Sequence, residues 1–292
     1  MQRARRVALI TGRDMEAPDT ETSLVSEALA SLGIASETIA WREKRDWGVM
    51  PLILLRTPWD YVDNFHDFLA WTTYVASVTR LRNTADVVRW NLHKSYLLEL
   101  AQHGVPTVPT QMLHCGRQID ANGMLHDLAE QFLTTDIIVK PAIGNNARGA
   151  MRAAAHDPVL AQHLTELLEA GDVLVQPFVP TISSLGEVSL IFIGAVYSHA
   201  VRKLPRAGDY RVQDNHGGTV HLYTPSAIDI KTAYAALAVA PNKTLYARVD
   251  MVHLHGVPVV IELEMIEPEL FLRFSPTAAG ILAGHLREEL DS

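Results

Sequence analysis

The sequence predicts an α/β fold that passes into α+β organisation and occupies more than one domain. Three observations carry this expectation. Short β-type apolar runs alternate with helically spaced apolar residues over positions 1–90, Pro- and Gly-punctuated segments take over from Asn91, and positions 180–292 read mostly as strands. A chain of 292 residues, 48% of them hydrophobic, can fill two or three domains of ~100–150 residues each.

In the first segment, Val7–Ile10 is an apolar run stopped by Thr11-Gly12. Glu21–Leu32 then places Leu24, Val25, Ala28, Leu29 and Leu32 at helical spacing, closed by Gly33, and a further strand follows. Leu52–Leu55 is the next β run and ends on Arg56-Thr57-Pro58-Trp59-Asp60, before a helix carrying Phe65, Phe68, Leu69 and Trp71. Alternating units of this kind imply a parallel sheet covered by helices, an N-terminal domain over 1–90. Ligands of such sheets lie beyond the carboxyl ends of the strands, which puts Arg56 at the rim. There it either grips a substrate carboxylate or pairs with Asp60 or Asp63, while Trp59, Asp60 and Tyr61 either shape the substrate pocket or pack beside it.

The second segment opens with a helix over Leu92–His103, closed by Gly104, and an extended stretch from Val105 to Thr110. Asp136–Lys140 reads as a buried strand, Pro141–Gly149 as a small-residue loop, His163–Glu169 as a helix and Val173–Val179 as a strand, giving a compact α+β domain over 91–179. The third domain, 180–292, runs through Glu187–Tyr197, Tyr197–Leu204, Thr219–Tyr223, Thr244–Leu254 and Val257–Met265 as strands, with a helix at Lys231–Leu237.

Composition narrows the function. Net charge is −8 with scattered Lys and Arg, so the basic face of a nucleic-acid binder is missing. The basic start, Met1 to Arg6, precedes an apolar run too short for a signal peptide or a membrane span. Cys115 is the sole cysteine, so no internal disulfide can form. A cytoplasmic protein acting on a small molecule is expected, and homo-oligomerisation is compatible with the sequence.

The strongest constellation is Arg248-Val249-Asp250, His255-Gly256 and Val257–Glu264, a hairpin with acids on both strands. Glu262 and Glu264, two apart, project from one face of a strand that is otherwise apolar. A two-residue turn pairs Asp250 with Ile261, whereas a three-residue turn or a bulge at Gly256 sets it across from Glu262; the odd-length turn is expected. Three acids in an apolar strand pair call for a hard cation such as Mg²⁺. The alternative is a solvated acidic face or an Arg248–Glu264 ion pair. Among basic residues, Lys94 stands at a helix start, Lys203 ends a strand, and Lys140 precedes the Gly144–Gly149 loop, whose N–H groups could cover phosphates. The loop lacks P-loop spacing, and no G-x-S-x-G, H-E-x-x-H or G-x-G-x-x-G motif occurs. His253 and His255 are too few for a zinc site and read as surface residues beside a turn.

The ordered set Lys94, Lys140-Pro141, Gly144, Val175-Gln176-Pro177-Phe178-Val179, Gly186-Glu187, Lys203-Leu204-Pro205, Arg211, Gly217-Gly218, Asp250 and Glu262-x-Glu264 resembles the ATP-grasp ligases over 91 to about 275. With Arg56–Tyr61, His199–Lys203 and Gly208–Gln213, nearly the whole chain resembles the glutathione-synthetase-like branch that contains the D-cycloserine-forming cyclo-ligase.

The resemblance implies a three-domain ATP-grasp architecture and an ATP-dependent carbon–nitrogen ligase. It implies that Lys94 and Lys140 hold the ATP phosphates, that Gln176, Phe178 and Val179 meet adenine, and that Glu187 holds the ribose. Lys203 and Arg211 would neutralise the γ-phosphate and acyl phosphate, and Asp250, Glu262 and Glu264 would ligate two Mg²⁺ ions, with Mn²⁺ able to substitute. Many relatives carry Asn where Glu264 stands, so this metal site is more negative. The implied reaction activates an amino-acid-type carboxylate as an acyl phosphate for attack by nitrogen, most specifically cyclisation of O-ureido-D-serine in antibiotic biosynthesis. An intermolecular peptide-forming ligase and a non-catalytic ATP-binding regulator are the alternatives. Direct phosphoryl transfer needs no protein nucleophile, which accounts for the missing Ser, Cys and His motifs.

Overall fold

The computed structural model describes residues 5–12, 19–117, 119–212 and 217–292. Gln213 and residues 1–4 of the basic start lie outside them. Strand β1 (Arg6–Thr11) lies between β2 (Ala35–Ala40) and β3 (Leu52–Thr57), and β4 (Arg80–Arg82) flanks β3, all parallel. Parallel neighbours need crossovers, which α1 (Thr20–Ser31) and α2 (Phe65–Val78) supply. Helix α1 starts where the Asp19 carboxylate accepts the N–H groups of Glu21 and Thr22 at 2.9 and 3.0 Å. The uninterrupted apolar runs of β1 and β3 follow from burial on both faces. Ala8, Ile10, Ile53 and Leu55 pack under Phe68, Val75, Trp41 and Trp47, and Val7, Leu9, Leu52 and Leu54 face Val25 and Leu29.

The helix expected over Leu92–His103 is two helices, α3 (Ala85–Leu92) and α4 (Tyr96–Gln102). The break has a tertiary cause: extended backbone at His93 frees the Lys94 N–H to donate to Ala142 O at 2.8 Å. Beyond it come β5 (Gln111–Leu113), α5 (Ala121–Phe132), β6 (Asp136–Pro141), β7 (Met151–Ala154), α6 (Pro158–Ala170) and β8 (Val173–Pro177). The strands form an antiparallel sheet in the order β5-β8-β6-β7, and Ile137, Val139, Val173 and Val175 pack against Leu125, Leu128, Leu160 and Leu164 of the two helices.

After a short helix α7 (Ile182–Leu185), strands β9 (Glu187–Ile193), β10 (Val196–Leu204), β11 (Thr219–Leu222), β12 (Tyr246–Leu254) and β13 (Val257–Glu264) build a third, antiparallel sheet in the order β11-β10-β9-β12-β13. Helix α8 (Ala227–Leu237) begins at a reciprocal Ser226–Asp229 capping box. The β12–β13 turn corrects the sequence expectation. It has two residues, His255 and Gly256, both at positive φ of 51° and 80°, as a primed hairpin turn requires. Asp250 nevertheless pairs with Glu262, because Met251 pairs with Val260 and Ile261 is the extra residue of a bulge within the strands.

The last helix, α9 (Ala278–Asp291), returns to the first sheet, where Leu282, Ala283 and Leu286 join Val7, Leu9, Val25 and Leu52 in one core. Among the described residues no helix is long and apolar enough to cross a membrane.

Candidate active site

The register of the third sheet lines up charge. Glu187 opens β9 opposite Lys203 of β10, Ser189 sits opposite Asp250 of β12, and Arg248 and Asp250 sit opposite Glu264 and Glu262 of β13. Strand alternation turns these side chains to one face. The Lys203 ammonium contacts Glu187 and lies 3.3 Å from Asp250 Oδ2. Arg248 Nε reaches the two Asp250 oxygens at 3.0 and 3.1 Å, while its Nη2 meets Glu264 and its Nη1 donates to the Glu269 carbonyl at 3.1 Å. The Ser189 hydroxyl donates to Asp250 at 2.5 Å. Lys94, placed by the helix break, reaches Glu262 at 3.1 Å and the Gly144 carbonyl at 2.6 Å.

Electrostatics divides the acids into two kinds. Burial would raise the Asp250 carboxyl, but Arg248, Lys203 and the Ser189 hydroxyl hold it well below the usual range. Glu262 is also held low against burial, by Lys94 and Lys140. Burial pushes Glu264 up to about 8, with Arg248 opposing and Glu262, Asp250 and Glu267 adding repulsion. Glu187 rises to about 7 through burial, although Lys203 opposes this. One oxygen each from Asp250, Glu262 and Glu264 lies within 4.8 Å of the others. An oxygen-only set this close, in which burial and then the repulsion between the acids raise one member's pKa, fits a divalent hard cation.

These groups line one side of a cavity of 470 Å³, within the range of small-molecule sites. Lys140, Gln176, Phe178, Val179 and Arg211 line it as well, so eleven of the twelve site residues expected from sequence face one space: those five together with Lys94, Glu187, Lys203, Asp250, Glu262 and Glu264. Burial lowers the Lys140 pKa, with Lys94 adding repulsion and Glu262 and Glu187 opposing. Gln176 donates to the Thr110 hydroxyl at 2.7 Å, and the Arg152 guanidinium stacks 3.5 Å over the Phe178 ring. Arg211 is held by Asp209 at 2.8 Å. The Gly144–Gly149 loop is moored to the N-terminal unit: Asn145 donates to the Trp59 carbonyl at 3.0 Å and Arg148 pairs with Asp63 at 2.6 Å. No Ser, Cys or His is among the described residues lining the cavity.

Arg56 stands apart and corrects the sequence expectation. It is 1% exposed and absent from the cavity wall, and its Nη2 pairs with Glu21 at 3.2 Å instead of with Asp60 or Asp63. Glu21 also accepts the N–H groups of Leu270 and Leu272 at 2.7 and 2.6 Å. The carboxyl end of β3 therefore fastens the segment after β13. Its neighbours Trp59 and Tyr61 do line the cavity, whereas Asp60 accepts from the Trp41 indole at 2.8 Å. His253 binds Asp229 at 3.0 Å and is not part of the acidic cluster found among the described residues. Sequence reasoning weighed Arg248 only as a partner of Glu264 and passed over Glu267 and Glu269, which follow the strand in Ile266-Glu267-Pro268-Glu269. The signal available was two further acids directly after Glu264.

Residues 7–83 match the family model described as the N-terminal domain of D-cycloserine synthetase DcsG, and residues 120–253 match the ATP-grasp domain of prokaryotic glutathione synthetase. The chain is 33% identical to the cycloserine biosynthesis protein DcsG of Streptomyces lavendulae over 97% of its length and 98% of that protein. The crystal structure of D-cycloserine synthetase DcsG superposes with a TM-score of 0.88, covering 98% of this chain and 99% of that one at 31% identity. D-alanine–D-alanine ligase from Bacillus anthracis shares the fold at 16% identity, with a TM-score of 0.69 over 99% of this chain and 96% of that one.

Proposed function

The chain belongs to the ATP-grasp ligase family of the cycloserine biosynthesis protein DcsG, and from this membership we propose that it cyclises O-ureido-D-serine to D-cycloserine, converting ATP to ADP and phosphate. The observation that carries the reading is the full-length likeness, in which the N-terminal unit of residues 7–83 matches together with the ATP-grasp unit. That likeness reaches the part of the chain that contributes Trp59 and Tyr61 to the cavity. Residues 1–90, 91–179 and 180–292 serve as substrate-side, lid and metal-bearing domains.

A substrate carboxylate oxygen attacks the γ-phosphorus, the bond to ADP breaks, and an acyl phosphate results. A substrate nitrogen then attacks the acyl carbon, phosphate leaves with the bonding pair, and the nitrogen proton passes to solvent. In O-ureido-D-serine that nitrogen belongs to the same molecule, and the carbamoyl group is lost by hydrolysis.

Lys94 and Lys140 hold the ATP phosphates, Gln176, Phe178 and Val179 bind adenine, and Glu187 binds the ribose. Lys203 and Arg211 offset charge on the transferring oxygens, Arg211 after release from Asp209. Asp250, Glu262 and Glu264 hold Mg²⁺, two ions in this reading, with Mn²⁺ able to substitute. When bound, the metal supplies positive charge against the phosphate oxygens. The loop moored by Asn145 and Arg148 keeps water from the acyl phosphate.

The test is ADP release with Mg-ATP against O-ureido-D-serine alone and then against pairs of amino acids. Release with O-ureido-D-serine alone, with the ring product in the mixture, supports the proposal. Release only with a pair moves the assignment to an intermolecular ligase, and bound ATP without turnover on any acid moves it to a regulatory nucleotide-binding role.

A further inference from the structure

Nearly every acid on the cavity wall has a basic partner: Glu187 and Asp250 meet Lys203, Glu262 meets Lys94, Glu264 meets Arg248, and Glu269 meets Arg273. Glu267 is the exception. It is 8% exposed, lines the cavity and makes no ion pair among the described residues. The phenol of Tyr61 and the ammonium of Lys94 favour its ionised form, and Glu262 repels it. Its own carbonyl accepts the Trp59 indole N–H at 3.4 Å. Tyr61 is itself fixed, 5% exposed and stacked on Phe68 at 4.9 Å.

A buried carboxylate without a counter-charge is costly, and burial accordingly pushes this one up to about 7. Glu267 does not belong to the metal cluster, which comprises Asp250, Glu262 and Glu264. What it lacks is a cation delivered into the cavity with the substrate. An α-amino acid brings one, an ammonium group on the carbon next to the carboxyl carbon. Trp59 and Tyr61 of the N-terminal unit and Glu267 of the segment after β13 line the same cavity as the metal-binding acids, so an ammonium beside a carboxylate directed to those acids would have this wall to meet.

We infer that Glu267 binds the α-ammonium group of the amino-acid substrate and so makes the enzyme selective for α-amino acids. The inference rests on the ligase reading above. Glu267 contacts substrate without taking part in bond making, and Tyr61 acts on its charge.

The experiment compares wild type, Glu267→Gln and Tyr61→Phe in carboxylate activation, with hydroxylamine trapping the acyl phosphate as a hydroxamate. The acids are O-ureido-D-serine, its des-amino counterpart 3-(ureidooxy)propanoate, and several amino acids each paired with its des-amino acid. E267Q should raise KM for the amino acid by about 10- to 100-fold, the effect of losing one charge-assisted hydrogen bond, while kcat and ATP affinity stay close to wild type. For the des-amino acid, wild type and E267Q should share the same poor KM. Y61F removes the hydroxyl beside Glu267 while Lys94 and Glu262 stay in place, so the pH below which KM worsens should move upward. E267Q should melt no lower than wild type at alkaline pH, which separates lost binding from lost fold.

An unchanged KM in E267Q, or an equal rise for amino and des-amino acids, overturns the assignment of Glu267 and leaves the ligase reading intact. Wild-type activation of another amino acid but not O-ureido-D-serine overturns the substrate named above, and a selective KM loss in E267Q on that acid still supports the ammonium site.

Discussion

Replacing Glu264 by Gln should make the metal-free protein more resistant to alkaline pH while weakening its hold on Mg²⁺. Burial moves this carboxyl from its usual 4.5 up to about 8 in the fold, against the pull of Arg248. A carboxyl that holds its proton more tightly folded than unfolded stabilises the fold fully below pH 4.5, and the contribution is lost as pH rises through about 8. At about 1.4 kcal/mol per pKa unit, the ceiling on the cost of ionisation is about 5 kcal/mol. The side chain is 27% exposed, and solvent at that edge brings the working figure to about 2 kcal/mol. Gln keeps an oxygen for Arg248 Nη2, and Arg248 retains both Asp250 oxygens. Urea denaturation in chelator should therefore find E264Q and wild type within about 1 kcal/mol near pH 6 and the variant ahead by about 2 kcal/mol near pH 9. Adding Mg²⁺ should stabilise wild type more than the variant. A stability gap that does not change with pH refutes the burial account of Glu264, and undiminished Mg²⁺ affinity in calorimetry refutes its place among the ligands.

Two further outcomes follow from the same geometry. Glu262→Gln should cut ADP release by about 10²- to 10³-fold, the scale of losing one electrostatic contact to transferring oxygens; the protein should still fold, because the residue carries none of the core, but melt somewhat lower, because Lys94 and Lys140 lose the carboxylate they face. Wild-type turnover in that variant removes Glu262 from the metal set. Gly186→Ala should cost more than about 3 kcal/mol in urea denaturation, since Gly186 has φ +75° and an added Cβ would meet the Lys203 carbonyl at 2.3 Å. The same variant should lower kcat/KM by displacing Glu187 from Lys203, and stability within about 1 kcal/mol of wild type refutes the steric argument.

How much of this was legible in the sequence depended on whether the determining interaction was local. The buried strands Val7–Ile10, Leu52–Leu55 and Val173–Val179, and the hairpin with its Glu-x-Glu pair, could be read because apolar runs and two-residue alternation are set within each segment. The facing of Asp250 and Glu262 was anticipated, but the cause lay in a bulge at Ile261 and not in the turn, and nothing local marks which residue a strand pair extrudes. The helix break at His93 is made by a carbonyl at Ala142, and the retreat of Arg56 from the cavity by Glu21, a residue on the preceding helix. Glu267 was passed over because an acid after a strand has no periodicity to flag it. Its burial comes from Tyr61 and Trp59, which the fold alone brings near.

The position of α9 on the first sheet has a consequence for how the protein is made. The core of that sheet takes Val7 and Leu9 from the start of the chain and Leu282 and Leu286 from its far end. A ribosome delivering the chain amino terminus first releases β1 to β4 long before the helix that seals them exists. Until residues 278–291 emerge, α1 covers that face alone and the part that α9 fills stays open to water or to a chaperone, so the core of the N-terminal unit is completed late although its strands are synthesised first. An excised 1–90 fragment keeps α1 but leaves the surface that Leu282, Ala283 and Leu286 cover permanently exposed, and is a poor candidate for separate expression.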